Sequence, residues 1–395
     1  MRGARRSTTS GAGVRRVPAP LAALWIPGLV ACSSPAPPGE PGPGSPPAVA
    51  APARPSSAAP PAGAAPQPAA GLSGAPTPTN PPEAAARRAP PPPAISAAEA
   101  ADVLFPGALA DAHAHAHARR ACPEASAADA ERIRCMIAER YRTDDEARRL
   151  ALDLYRETGS VAGVEREHVM DGGFRGKLHL VPEPPVARHR KHLAWVAAAA
   201  ADFTWFFGEL ESRADRASAA GAPAGPPLFR HQPIAWRFFR SVGRTTPSAY
   251  ASGWTVAYNV SGSLLRSEDA TRETLFHEIF HLNDGARAWS RRALGAIYDG
   301  IVARCGARTA CLTPYGPTTT KVRGGTYYAF QPDNGDGVHE YAAEIAMRYY
   351  QDHRALLRGD KLAGPAFKCG PAESAKAWSL LVEEFFGGVD LVPAC

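Results

Sequence analysis

The sequence predicts an α+β fold, mostly helical, with a small sheet beside one buried helix. Three observations carry this. Apolar residues recur at helical spacing over six segments between residue 127 and residue 386. Strand signals appear in only three short stretches, each separated from the next by a loop or a helix. The chain before residue 96 has no means of forming a core, so the fold belongs to 96–395.

Residues 1–31 read as a leader. Arg2, Arg5, Arg6, Arg15 and Arg16 precede the apolar run from Leu21 to Ala31, and no acidic residue interrupts them. A run of that length is too short to span a bilayer and suits the core of a signal peptide. It ends in Leu29-Val30-Ala31-Cys32. This resembles the lipobox of bacterial lipoproteins, which implies cleavage before Cys32, lipidation of its thiol and a membrane anchor there. Ser33, in place of the aspartate associated with inner-membrane retention, points to the outer membrane.

The formal charge of +6 belongs to this leader, because removing five arginines leaves the chain near +1. The basic balance therefore gives no argument for a nucleic-acid partner. Residues 32–95 follow as a tether. They hold 21 of the 40 prolines and no Phe, Tyr or Trp, so they form an extended spacer rather than a core.

Seven cysteines are present. With Cys32 assigned to the lipid, Cys122, Cys135, Cys305, Cys311, Cys369 and Cys395 remain, and an even number in an exported chain predicts three disulfides. Proximity favours Cys122–Cys135, Cys305–Cys311 and Cys369–Cys395. No pair has C-x-x-C spacing, which argues against cysteine-bound zinc.

Residues 96–118 look transitional. His113, His115 and His117 alternate with Ala, and a metal-capture role competes there with a plain Ala-rich linker. Helices are expected over 127–158 and over the aromatic-rich 188–213, with a surface loop at 219–227. Strands are expected at Lys177–Val181, Ile234–Phe239 and Trp254–Val260. Further helices follow at about 268–283, 286–304, 338–352 and 371–386.

The chemistry concentrates in His277-Glu278-Ile279-Phe280-His281. Histidines four apart on a helix project from one face, so both imidazoles can bind one ion, with Glu278 placed to act as a base on a water. Ser267 is the candidate N-cap, with Glu268 and Asp269 in the first turn. Leu275, Ile279 and Leu282 give the helix an apolar face, and buried histidines need partners, which a metal provides. A third ligand must come from elsewhere. The metzincin extension fails, because Asp284 stands where its glycine belongs and Arg287 where its third histidine belongs. Glu340 and Glu344 are also four apart on one helix face; one can bind metal while the other orients a ligand. His339 is a weaker rival.

The order His277…His281, Asp284, Tyr315-Gly316 and Glu340-Tyr341-Ala342-Ala343-Glu344 resembles the catalytic domain of anthrax lethal factor and its relatives, a branch of the gluzincin metalloproteases. The resemblance spans roughly residues 268–350. It implies a zincin-like fold and a zinc-dependent peptidase acting on a protein or peptide. It further implies Glu340 as third zinc ligand, Glu344 and Asp284 behind the ligands, and Tyr315 as donor to the developing oxyanion. In that family the Tyr-Gly pair lies closer to the glutamate segment. Here residues 317–337 intervene, and Tyr327 and Tyr328 compete for the role. The strand at Trp254–Val260 is expected to serve as the substrate-binding edge, with Trp254, Tyr258, Tyr327, Tyr328 and Phe330 as subsite or packing residues. Three competing readings are a catalytically silent binding module, a metal-binding surface lipoprotein built on His113–His117, and a zinc hydrolase of cell-wall peptides.

Overall fold

The computed structural model describes residues 94–107, 120–123, 129–172, 176–221, 225–285, 288–322, 325–331 and 335–395. The leader, Cys32, the proline-rich stretch up to residue 93, His113, His115, His117 and Arg287 lie outside them. The architecture is α+β, with long helices packed against one face of a small mixed sheet.

Helix α1 (Ala97–Leu104) occupies the stretch expected to be transitional. Ser96 and Glu99 form a reciprocal capping box at its start. Ala97, Ala100, Val103 and Leu104 are buried against the following elements. The expected helix over 127–158 is two helices, α2 (Asp129–Arg140) and α3 (Asp145–Thr158). Asp144 separates them by capping α3 through the Ala147 amide.

Asp144 also accepts from the Ala187 amide at 2.8 Å and from Arg190 at 2.9 and 3.1 Å, tying α3 to the start of α4 (Arg190–Ala219). Burial opposes ionisation of this carboxyl, but Arg190 and the two amides outweigh it and hold the pKa down at about 2. A depressed carboxyl contributes stability that is present above its unfolded value of about 4 and lost as pH falls toward 2. Asp144→Ala is expected to cost about 1–2 kcal/mol at neutral pH, from the lost cap and the lost bonds to Arg190, which keeps Glu146 as a partner. Urea melts check this: the gap between wild type and variant should narrow below pH 4.

The sheet runs β2 (His168–Asp171), β3 (Lys177–Pro182), β4 (Ala235–Ser241), β6 (Thr255–Asn259) and β5 (Ala249–Ser252). Strand β1 (Val161–Val164) pairs parallel with the first half of β4, and β3 pairs antiparallel with its end. β4 and β6 are parallel; β5 is antiparallel to β6 and forms the edge. The strand expected at Trp254–Val260 is therefore interior. β5 is an edge strand among the described residues, as β2 is at the other end, and it runs alongside the helix that bears the histidines. One sheet face joins the main core through Trp236, Phe238, Val256 and Tyr258. The other carries only a small cluster of Leu178, Leu180, Phe239 and Ala257.

Helix α5 (Glu268–Gly285) lies in the centre of the main core. Ser267 caps it through the Ala270 amide. Phe276 is the wedge that sets its position. Its ring stacks on Tyr350 at 4.4 Å and Phe229 at 4.9 Å and meets Phe203 edge-on at 5.6 Å. Helices α6 (Trp289–Cys305), α8 (Gly337–Leu357) and α9 (Ala372–Phe385) close the core, with the short α7 (Thr309–Leu312) between α6 and α8. Disulfides join Cys122–Cys135, Cys305–Cys311 and Cys369–Cys395, the pairing that proximity favoured. Three such bridges mark an oxidising, non-cytoplasmic environment. Among the described residues no helix is long and apolar enough to cross a membrane.

Candidate metal centre

Two helices build the site, α5 from below and the first turns of α8 from the side. The start of α8 is fixed tightly. Asp336 caps it through the His339 amide and pairs with Arg291 at 2.7 Å. Gly337 sits against Tyr298, where a Cβ would come 2.2 Å from the phenol oxygen, so a larger residue would require the tyrosine side chain to move.

The result is a triangle of donor atoms. Nε2 of His277 lies 3.0 Å from Nε2 of His281 and 3.1 Å from Oε2 of Glu340; the third side, His281 to Glu340, is 3.5 Å. A tetrahedral ion with bonds of about 2.0–2.1 Å sets its ligand atoms about 3.3–3.4 Å apart. The triangle is thus close to the size a tetrahedral ion needs, and His277, His281 and Glu340 are a group that could hold a metal ion.

The electrostatics agree. Glu340 and Glu344 are largely buried, and among the described residues their ion-pair partners are histidines. Burial opposes charge on Glu340, yet its hydrogen bonds to His277 and His281 hold its carboxyl well below the usual range. Burial likewise opposes a proton on His277, but Glu340 and Glu344 raise its pKa well above normal. Burial lowers His281 to about 4. Two carboxylates thus favour a positive charge at this point, which a proton on His277 or a cation could supply.

Glu344 stands behind His277. Its Oε1 lies 3.2 Å from Nδ1, and its Oε2 accepts from the Thr318 hydroxyl. A carboxylate on Nδ1 fixes the tautomer that turns the Nε2 lone pair toward a metal. Glu278 is buried beside the triangle, and burial pushes its carboxyl up to about 7.

Two expectations carried by resemblance change here. Among the described residues Asp284 makes no hydrogen bond to His277 or His281. It accepts from His339 Nδ1 at 2.6 Å and from the Ser290 amide at 2.8 Å, so it joins the end of α5 to the start of α8. His339 in turn lies against His281, with ring centroids 4.1 Å apart. The donor atoms that converge are those of His277, His281 and Glu340, and His339 is not among them. Nδ1 of His281 is buried and finds no acceptor among the described residues.

Tyr315 is the second change. Its phenol accepts from Arg304, whose guanidinium covers the ring at 5.7 Å and continues to Glu373. None of its described contacts reaches His277, His281 or Glu340. The physical reason is the intervening segment. Residues 318–322 and 325–328 pair as the two arms of a hairpin, with Lys321 bridged to Tyr327 and the Tyr328 amide on the Thr320 carbonyl. This brings Tyr328 to the site, with its ring 5.9 Å from that of His277.

The other aromatic candidates are packing residues. Tyr258 is fully buried with its hydroxyl on His192, Tyr327 is buried with its hydroxyl on Thr313, and Phe330 stacks on Tyr298. Trp254 lies under the Arg230 guanidinium at the β5–β6 turn. Thr318 went unnoticed in the sequence, where a threonine run offers no local signal for a contact to a glutamate on another element.

Compared with protein families, characterised proteins and solved structures, the chain matches none.

Proposed function

We propose that this chain is a zinc-dependent peptidase with a zincin-like fold, of the gluzincin type. The observation that carries the reading is the convergence of His277 Nε2, His281 Nε2 and Glu340 Oε2, with a buried carboxylate of raised pKa beside them. The motif order from His277 to Glu344, similar to that of lethal factor and its relatives, supports the same class.

His277, His281 and Glu340 would hold the ion. Zinc, when bound, supplies Lewis acidity, which acidifies a water and polarises a peptide carbonyl. Glu278 takes the proton of the attacking water on its carboxylate and returns it to the leaving amine nitrogen. A pKa near neutrality suits both halves of that exchange. Tyr328, whose ring lies 5.9 Å from that of His277, would donate a hydrogen bond to the carbonyl oxygen as charge develops there. Glu344 keeps His277 in the ligating tautomer. The free edge of β5 offers backbone groups to an extended substrate, the role first assigned to the following strand.

The substrate is a protein or peptide met outside the cytoplasm. The oxidising environment marked by the disulfides agrees with export. Leu29-Val30-Ala31-Cys32 supports anchoring through a lipid on Cys32, with the outer membrane as the site.

A library of quenched fluorescent peptides tests the activity. The purified chain should cleave members of it, lose cleavage on treatment with a zinc chelator, and regain it when zinc is restored. Cleavage that persists in full after the metal is stripped would rule out the zinc mechanism.

A further inference from the structure

The connection between α7 and α8 reaches the metal centre from behind as well as from the side. Glu344 is among the most buried carboxylates of the described residues, at 3% exposure. Each of its oxygens has its own partner. Oε1 faces His277 Nδ1, and Oε2 accepts the Thr318 hydroxyl proton. The same hydroxyl accepts from the Thr320 amide at 3.3 Å, so its proton and one lone pair are both committed. Thr320 in turn holds the Tyr328 amide at 2.9 Å. One hairpin therefore grips Glu344 through Thr318 and delivers Tyr328 beside His277.

We propose that Thr318 is a positioning residue for the metal centre, acting through Glu344 on the imidazole of His277. The inference rests on the zinc reading above. A ligating histidine must present the Nε2 lone pair in one direction, and an acceptor on Nδ1 sets that direction. A glutamate has three side-chain torsions and holds its carboxylate in place only if both oxygens are engaged. Without the Thr318 hydroxyl, Oε2 becomes a buried acceptor with no partner, and the carboxylate turns to find one. The imidazole then loses its fixed orientation, and ion binding must restore it. Groups behind a ligand typically change metal affinity by about 10–100-fold.

The test uses the full chain as wild type, Thr318→Val and Thr318→Ser. Zinc affinity is read by competition with a chromophoric chelator, and thermal melts of the metal-free proteins report the fold. Thr318→Val keeps the shape and removes the hydroxyl, so it should bind zinc about ten-fold or more weakly. Thr318→Ser keeps the hydroxyl and should bind within a few-fold of wild type. If Thr318→Val melts well below wild type, Thr318→Ala takes its place against Thr318→Ser. Wild-type affinity in the hydroxyl-free variant would overturn the inference. So would equal weakening in Thr318→Ser, which would assign the effect to the lost methyl group. A wild-type chain that binds no zinc would instead overturn the zinc reading, and this inference with it.

Discussion

Glu278→Gln is expected to lower peptide turnover by about 10²–10⁴-fold, the usual contribution of a positioned general base. Glutamine keeps the size and hydrogen-bonding reach of the side chain but cannot take a proton from water. Glu278 lies beside the donor triangle and is not part of it, so zinc content should stay at the wild-type level. The fold should hold as well. Burial already pushes this carboxyl up to about 7, so a neutral amide fits the site at little cost. Steady-state kinetics with a peptide from the library should show the loss in kcat, with KM little changed. An active Glu278→Gln enzyme would remove Glu278 from the mechanism.

Glu340→Ala is expected to act on the metal itself. It removes one corner of the triangle and the only carboxylate in it. The two imidazoles that remain carry no charge to balance a divalent cation. The loss of affinity should exceed the roughly 10–100-fold that follows from removing a group behind a ligand. His277 would still face Glu344, so the helices should remain packed. Competition with a chelator, beside a thermal melt, separates lost affinity from lost structure. A Glu340→Ala chain with wild-type affinity would mean that the third ligand lies elsewhere.

Most of what the sequence reveals here is local in origin. The helix carrying His277 and His281 announces itself through Ser267, the acidic first turn and the apolar stripe of Leu275, Ile279 and Leu282. Glu340 and Glu344 are legible because their four-residue spacing puts them on one face, whatever they pack against. Short loops between neighbouring cysteines make the disulfide pairing legible too. What stayed hidden depends on distant partners. β1 and β5 are four residues each, and pairing with β4 and β6 fixes them, not an alternating pattern of their own. The position of β5 at the edge follows from strand order, which no single strand encodes. Tyr315 and Tyr328 both precede the glutamate segment; only the hairpin between them decides which one reaches His277. Asp284 is similar: its spacing from His281 suits a contact to a ligand, but His339 on α8 claims it. Helix α1 is different. Ser96 and Glu99 form a capping signal that was present in the sequence and lay masked in an alanine-rich run.

Metal content tests the central claim most directly. The purified chain and its Glu340→Ala variant are loaded with zinc, dialysed against metal-free buffer and assayed by elemental analysis. The account predicts one zinc retained per wild-type chain and little or none in the variant. A wild-type chain without zinc, or equal zinc in both proteins, would contradict it.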